Sequence, residues 1–300
     1  MLPTKLDHCV IHVTQHENEH ERPTMIDNFL SSPMRRRLLA GVGSAAISGV
    51  AASAVGHITP AWARENGSSG VVPSVCVFDL NGTLLDSQGA APLFRRIFGD
   101  KSSVNQWFEQ LILFSEDITI SGHYTDFFTL GEGVLKMLAE SHNVSIRPAD
   151  LDEWRKAWLT WSAFPDVPSG LKQLKDAGFQ LVTLTNSPPD EQVKQLKHAG
   201  IDQWIDKAIS VEKVRQFKPA PKTYQLAAEE MGVPLAAICL VAAHSFDTLG
   251  AQCAGCSAAL INRPGVALNA PLRVEGLPQP QVVAPDLPGV ATQMIKLWRS

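Results

Sequence analysis

The sequence has few cysteines, a modest share of charged residues and no long apolar run, and each shortage excludes a class of protein. Five cysteines in 300 residues are too few for a scaffold held by disulfides. Only one weakly apolar stretch approaches membrane-spanning length, which excludes a protein with several spans. The formal charge is -4, and no Lys/Arg-rich run follows residue 37, so a generally basic surface for nucleic acid is excluded. With 45% hydrophobic residues, the chain can still bury a large core.

The first 63 residues are typical of an export signal. The basic run Arg35–Arg37 precedes a mildly apolar stretch rich in Gly and Ala, and Ala61-Trp62-Ala63 has the form of a cleavage site. The paired arginines resemble those of a twin-arginine signal. We therefore predict export to the periplasm or beyond, with cleavage after Ala63. An uncleaved membrane anchor is the alternative.

Two patterns in the sequence have the spacing of metal ligands. Four histidines recur at every fourth residue: His8, His12, His16 and His20. On a helix they would share one face, but they precede the export signal, which favours an extension without function. Cys253 and Cys256 have redox or metal-binding spacing without a second pair, which favours small packed residues at a helix end. We predict no metal and no cofactor.

Beyond residue 70, strand and helix patterns alternate. Apolar runs rich in β-branched residues predict buried strands at 71–78, 180–184, 237–241 and 257–262. Helical periodicity follows at 170–178, 190–199 and 222–231. This alternation predicts an α/β fold with a doubly wound, Rossmann-like parallel sheet.

One segment breaks this alternation. Residues 92–164 contain four successive helical patterns and no strand pattern, which predicts an all-helical cap inserted after the first strand. The predicted division is an extension and signal at 1–63, a core at 71–91 and 165–300, and a cap at 92–164. Within the cap, Trp154 and Trp158 fall on one helix face and predict a packed core. Trp161, near the return to the core, is a candidate to face a substrate.

Polar residues follow the predicted strands. Because the carboxyl ends of parallel strands meet at one edge of a sheet, these residues predict a site there. They are Asp79 after the first strand, Thr185 and Asn186 after the second, and His244 and Asp247 after the third, with Lys218 in a nearby loop. A carboxylate held ionised at a strand end can act as a nucleophile. An N-cap is the alternative for an isolated Asp-x-x-Gly element, but the later loops favour the nucleophile.

Taken together, these elements resemble the haloacid dehalogenase superfamily over roughly residues 75–265. Four stretches resemble its motifs in order: Asp79–Thr83, Leu184–Asn186, Lys218–Tyr224 and Asp247. Most members are magnesium-dependent phosphatases, which carry acids where this chain has Asn81 and Ala243. Asn81 cannot supply a proton, and Ala243 offers no oxygen to a hard cation. The local fit is closer to the type II 2-haloacid dehalogenases, at residues 218–224, 247–251 and 261–263.

The resemblance implies a two-step hydrolysis of short 2-haloalkanoic acids, without metal or cofactor. Asp79 would displace the halide and form an ester, which water would then cleave. Lys218 would orient Asp79, and Asp247 would activate the water together with Asn186 and His244. Thr83 and Thr185 would hydrogen-bond carboxylates. The implied substrate and halide pocket contains Leu80, Asn81, Trp107, Phe108 and Phe246.

The chain departs from this branch at its halide pocket. Phe108 stands where the branch has an arginine, and Ala242 and His244 replace a serine and an asparagine. The preferred leaving group is therefore open. A phosphatase or another hydrolase of the superfamily is the alternative, and a silent binding protein is disfavoured because it would not need a buried lysine between two carboxylates. The expected partner is a small halogenated carboxylate, with no nucleic acid and no stable membrane insertion after cleavage. A homodimer is compatible with the sequence.

Overall fold

A computed structural model of the protein describes residues 70–300. The predicted export signal, its cleavage after Ala63 and the four N-terminal histidines lie outside the described residues, and they stay predictions. Between residues 70 and 300, no helix is both long and apolar enough to cross a membrane.

Within the described residues, six parallel strands form one sheet in the order β3-β2-β1-β4-β5-β6. The strands are β1 (Val75–Phe78), β2 (Gln180–Thr185), β3 (Lys207–Ser210), β4 (Ile238–Ala242), β5 (Ser257–Ile261) and β6 (Val282–Ala284). Strands β1 and β4 are buried along their whole length, as expected of central strands with helices on both faces. The predicted Rossmann-like parallel α/β fold is confirmed.

The strand boundaries differ from the sequence pattern in two ways. The first strand begins at Val75 rather than at residue 71, because Val71 and Val72 are exposed and Pro73 has no N–H for the ladder. Strands β3 and β6 were not predicted. Both lie at an edge of the sheet and have only four and three residues, too few for a period-2 pattern to emerge.

Four helices follow β1 without an intervening strand, and this segment is called the cap below. They are α1 (Ala91–Phe98), α2 (Ser103–Ile120), α3 (Phe127–Ser141) and α4 (Pro148–Leu159). The chain leaves and re-enters the core side by side, since the N–H of Phe164 donates to the oxygen of Leu84 at 3.0 Å. The remaining helices are α5 (Val167–Asp176), α6 (Pro189–His198), α7 (Pro221–Met231), α8 (Ser245–Ala254) and α9 (Leu287–Trp298).

Three tryptophans form the core of the cap. The ring of Trp107 lies 5.8 Å from that of Trp154 and 5.7 Å from that of Trp158, and all three are buried. The indole N–H of Trp107 donates to the oxygen of Gly131 at 2.9 Å. The placement of Trp107 in the substrate pocket was therefore wrong, because its side chain packs inside the cap.

Candidate active site

The polar residues predicted at the strand ends converge on one narrow cavity. Its internal space is about 10 Å³, room for about one water molecule. The lining consists of Asp79, Asn81, Phe108, Ile112, Phe127, Thr185, Asn186, Lys218, His244 and Phe246. Asp79 follows β1, Asn186 follows β2 and His244 lies beyond β4, so parallel strand ends bring these side chains together.

Lys218 holds the carboxylate of Asp79. The Nζ of Lys218 donates to Oδ1 of Asp79 at 2.7 Å, and both side chains are buried. Burial raises the pKa of Asp79, but the Lys218 ammonium and the hydrogen bond from His244 outweigh it and hold this pKa well below its usual value. Asp79 is therefore an anion with little water around it, which is what a carboxylate nucleophile requires.

The Lys218 ammonium is fully satisfied by three acceptors. Besides Asp79, its Nζ donates to Oδ2 of Asp247 at 2.6 Å and to the oxygen of Leu184 at 3.1 Å. Burial alone would lower the pKa of Lys218, but the two carboxylates raise it above its usual value. The lysine therefore acts as a fixed positive charge rather than as a proton donor.

Asp247 stands behind the lysine and does not line the cavity. Its side chain is fully buried, with Oδ2 on Lys218 and Oδ1 accepting from the hydroxyl of Tyr224 at 2.8 Å. Burial, together with the nearby Asp79 charge, raises the pKa of Asp247, although Lys218 opposes the shift. The prediction that Asp247 activates water directly does not fit this geometry, because both of its oxygens are occupied and neither faces the cavity.

A tight turn after β1 presents Asp79 to the cavity. The hydroxyl of Thr83 donates to Oδ2 of Asp79 at 2.6 Å and accepts from the N–H of Ala243 at 2.8 Å. Thr83 therefore makes the carboxylate contact that the sequence predicted. Arg263, buried behind the turn, donates from Nε to the oxygen of Thr83 at 2.9 Å and pairs with Asp166 at 2.8 Å. The sequence analysis included Arg263 only within the stretch 261–263, and it did not predict the contact of this residue with the turn.

His244 contacts the second oxygen of the nucleophile. Its Nδ1 lies 3.1 Å from Oδ2 of Asp79, and because a carboxylate accepts only, Nδ1 carries the hydrogen. The ring stacks on Phe108 with 5.1 Å between centroids and lies 5.7 Å from Phe246. The other nitrogen, Nε2, is buried and has no hydrogen-bond partner among residues 70–300. His244 thus borders the site, with Nδ1 on the nucleophile and Nε2 buried beside Gly82.

Gly82 leaves the space that His244 occupies. Its φ is +78°, and a Cβ at this position would lie 2.9 Å from both Cε1 and Nε2 of His244. A side chain here would be strained by the backbone and would also collide with the imidazole. The glycine of the turn is therefore required by the histidine as well as by the turn.

The structure separates four other residues that the sequence placed at the site. Phe108 and Phe246 line the cavity. Leu80 does not, because its side chain is fully buried in the hydrophobic core. Thr185 lines it, but its hydroxyl accepts from the N–H of Ser187 at 3.2 Å instead of contacting a carboxylate. The sequence missed Ile112 and Phe127, whose helical patterns showed only that they were apolar.

Asn186 fixes the loop that carries the lysine. Its Oδ1 accepts from the main-chain N–H of Lys218 at 3.0 Å. This contact ties the end of β2 to the loop before α7. Asn186 lies in the predicted site, and the hydrogen bond gives it a positioning role that the sequence did not predict.

Asn81 belongs to a chain of buried amides that reaches the cap. Its Nδ2 donates to Oγ of Ser187 at 2.9 Å, and its Oδ1 accepts from Nε2 of Gln195 at 3.2 Å. Gln195 also donates from Nε2 to the main-chain oxygen of Trp158 at 2.8 Å. Neither Ser187 nor Gln195 was predicted, because nothing in the local pattern distinguishes them from surface residues of α6 and its preceding loop.

Trp161 lies away from the site. Its ring centroid is 5.1 Å from that of Trp158, and it lines a separate cavity of about 200 Å³ with Asp86, Gly89, Ala157, Thr160 and Ser162. The expectation that Trp161 faces the substrate was wrong, because the chain has already turned back toward the core at this residue.

The donor set at the site does not suit a hard cation. Asn81 and Ala243 stand at two positions where an acid would be needed, and the Lys218 ammonium occupies the space between Asp79 and Asp247. Residues 70–300 hold no group of three or more His, Cys, Asp or Glu arranged to bind a metal. Of the pair Cys253 and Cys256, the first is exposed in α8 and the second is buried. The predicted packing of this pair therefore applies to Cys256 but not to Cys253.

The chain is similar to known haloacid dehalogenases in sequence and in fold. The model of the haloacid dehalogenase-like hydrolase family matches residues 73–255. (S)-2-haloacid dehalogenase 1 of Pseudomonas sp. (strain CBS-3) is 30% identical over 206 residues, which are 68% of this chain and 89% of that protein. The solved L-2-haloacid dehalogenase from Xanthobacter autotrophicus shares 26% identity with a TM-score of 0.66, over 73% of this chain and 97% of that one. A dehalogenase solved with an intermediate complex shares 26% with a TM-score of 0.68, over 77% and 99%.

Proposed function

The chain belongs to the haloacid dehalogenase-like hydrolase family, and we propose that it hydrolyses short 2-haloalkanoic acids through an ester on Asp79. The observation that carries the proposal is the buried Asp79 carboxylate, held ionised by Lys218 and facing the cavity beside Asn81. An anion in a site with no proton donor at position 81 suits expulsion of a halide, which leaves without a proton. The named dehalogenases among its relatives support the same chemistry.

In the first step, an oxygen of Asp79 attacks the carbon that bears the halogen. A C–O bond forms, the carbon–halogen bond breaks, and the halide leaves with the electron pair. Oδ1 is held by Lys218, and Oδ2 by Thr83 and His244, so the carboxylate is oriented before substrate arrives. Burial removes most of the water that would otherwise weaken the nucleophile.

In the second step, water attacks the carbonyl carbon of the Asp79 ester. We assign His244 as the base for this water, because its imidazole borders the cavity and lies 3.1 Å from Asp79, the residue that carries the ester. The proton taken by the imidazole passes to the departing alkoxide, which leaves as the 2-hydroxy acid, and the remaining proton of the water is released from Asp79 to solvent, which restores the carboxylate. Asp247 assists only by keeping Lys218 charged.

The cavity favours small substrates. A haloacetate has five non-hydrogen atoms and occupies about 100–150 Å³, taking roughly 30 Å³ for each water-sized group in a liquid. The cavity has room for only about one water molecule, so a bound substrate must displace its lining side chains, and a small substrate displaces them least. Phe108, Ile112 and Phe127 from the cap and Phe246 from the core give the lining an apolar part beside its polar residues, which suits a carbon–halogen bond next to a carboxylate.

The test compares two substrate classes. We expect halide release from monochloroacetate, unchanged by EDTA, and negligible turnover of p-nitrophenyl phosphate with or without magnesium. A protein that releases no halide, and that hydrolyses the phosphate ester only with magnesium, would contradict the proposal and favour phosphatase chemistry. A folded protein without either activity would favour a binding role.

We also propose that residues 1–63 export the enzyme through a twin-arginine route, with cleavage after Ala63. The proposal is supported by the basic run at residues 35–37, the Gly/Ala-rich stretch after it and the Ala-Trp-Ala end. N-terminal sequencing of protein from a periplasmic fraction should begin at Arg64. Replacing Arg35, Arg36 and Arg37 by lysine should leave the protein in the cytoplasm. Recovery of uncleaved protein in the membrane fraction would favour an anchor.

A further inference from the structure

Gln195 is fully buried in α6 and connects the cap to the active-site cavity. Its Nε2 donates to the main-chain oxygen of Trp158, in α4, at 2.8 Å and to Oδ1 of Asn81 at 3.2 Å. Its Oε1 is buried without a hydrogen-bond partner among residues 70–300. Burying an amide with an unpaired oxygen is unfavourable. The two hydrogen bonds that Nε2 donates are therefore the contacts that account for this residue at this position.

The orientation of this amide follows from its partner in the cap. A main-chain carbonyl accepts hydrogen bonds and cannot donate them, so the oxygen of Trp158 requires the nitrogen of Gln195 to face it. Rotating the Gln195 amide would place oxygen against oxygen at Trp158. The nitrogen of Gln195 therefore also faces Asn81, and Asn81 must present its oxygen in return.

This arrangement determines which amide atom of Asn81 can hydrogen-bond the substrate. With Oδ1 directed to Gln195, Nδ2 lies on the side of Ser187 and donates one hydrogen to Oγ of that residue at 2.9 Å. Nδ2 carries a second hydrogen, and Asn81 lines the cavity. Of the two amide atoms of Asn81, Oδ1 is held by Gln195, and Nδ2 is the one with a hydrogen left to donate.

We propose that Gln195 is a positioning residue that, when the cap is seated, locks Asn81 with its N–H toward the cavity as a donor to an anionic group of the substrate. The inference rests on the proposed function, since a 2-haloacid brings a carboxylate and releases a halide. Both groups are anions that accept such a bond. The cap supplies the Trp158 oxygen, so the orientation of the donor depends on the contact between cap and core.

A matched pair of variants tests the proposal. Gln195→Met keeps the length of the side chain and removes both donors. Glu191→Met, one turn earlier on α6, removes the acceptor of the Trp158 indole N–H, a cap contact of 3.1 Å that does not reach Asn81. We expect kcat/KM for chloroacetate and bromoacetate to fall about 10- to 100-fold in Gln195→Met, the value of one hydrogen bond to a charged group. In Glu191→Met it should stay within about threefold of wild type.

The kinetic pattern identifies which anion takes the bond. A rise in KM of equal size for both substrates indicates the carboxylate. A fall in kcat that is larger for chloroacetate than for bromoacetate indicates the departing halide. Both patterns support the proposal. Wild-type kinetics in Gln195→Met, or an equal loss in the two variants, would overturn it, since the second result means that Gln195 acts only through general seating of the cap.

A spectroscopic measurement separates this inference from the proposed function. The side-chain amide signal of Asn81, assigned by its disappearance in Asn81→Ser, should shift when ¹⁵N-labelled wild type is titrated with sodium bromide or sodium acetate. The shift should persist in Glu191→Met and vanish in Gln195→Met. The wild-type titration requires no change at position 195, so it stands even if that variant fails to fold. Absence of a shift with both anions overturns the inference, whereas a shift in a protein that releases no halide contradicts only the proposed function.

Discussion

The Nδ1 of His244 lies 3.1 Å from Oδ2 of Asp79, the carboxylate oxygen that Lys218 does not hold. The nucleophile is therefore held between a permanent cation on one oxygen and an imidazole on the other. Since a dehalogenation needs no proton to expel halide but needs a base to cleave the ester, the imidazole is the group that we propose for the second step. This pair distinguishes the site from one built on two carboxylates.

Asp79→Asn should abolish turnover and leave the fold intact, because it replaces an anion by a neutral amide of almost the same shape. Halide release and circular dichroism check the two parts. In wild type, a single turnover in heavy-oxygen water should place the label on Asp79 before it appears in product, as read by mass spectrometry of the quenched protein. Label that enters the product directly would rule out the ester.

His244→Asn should slow cleavage of the ester more than its formation. We expect kcat to fall about 10²-fold, the usual contribution of one positioned base, with a burst of about one halide per site before the slow steady state. Rapid-quench measurement of halide release reports the burst. A variant without a burst, and with halide release itself slowed, would assign His244 to the first step instead.

Gly82→Ala should destabilise the protein and reduce activity by displacing His244. The positive φ alone costs about 1–2 kcal/mol, and the new Cβ would lie 2.9 Å from the imidazole. Gly99→Ala is a matched control, because its φ is +79° and nothing lies within 4 Å of the position that its Cβ would take. Denaturant unfolding and kcat should show a similar backbone cost in both variants and a loss of activity in Gly82→Ala alone. Equal activity in the two variants would contradict the close contact.

Glu191 should make the stability of the protein fall as the pH rises toward neutrality. Burial raises the pKa of Glu191 to about 7, while the unfolded chain has a carboxyl with an ordinary value near 4.3. Between these values the folded state binds more protons than the unfolded state, so the free energy of unfolding decreases with pH and the full penalty is present above pH 7.

Glu191→Gln removes this penalty and keeps an oxygen for the Trp158 indole. After allowance for the solvent that still reaches this partly exposed carboxyl, we expect the variant to gain about 1–2 kcal/mol at pH 8 relative to wild type. At pH 4 the two proteins should differ little. Urea unfolding at both pH values measures the difference, and a gap that does not change with pH would mean that Glu191 titrates normally.

Much of the site could be predicted because it depends on local sequence and on one rule of topology. The apolar run that ends at Asp79 identifies a buried strand and the acid at its end. Because parallel strands end at one edge, Asn186 and His244 could be placed beside that acid without knowing their distances. Lys218 was predicted with them, and its three acceptors lie at separate points of the sequence that only folding brings together.

What the sequence by itself determined is the alternation of strands and helices, the helical segment after β1 and the residue types at the strand ends. Only the tertiary structure decided which side chains face the cavity, because that choice depends on how helices rotate and pack against the sheet. Phe108 faces the cavity while its neighbour Trp107 packs inside the cap. On α6, Gln192 and Gln195 are buried while Val193 is 43% exposed, the reverse of what hydrophobicity predicts. Hydrogen bonds from partners distant in sequence make this arrangement stable, and these partners cannot be identified from a local sequence pattern.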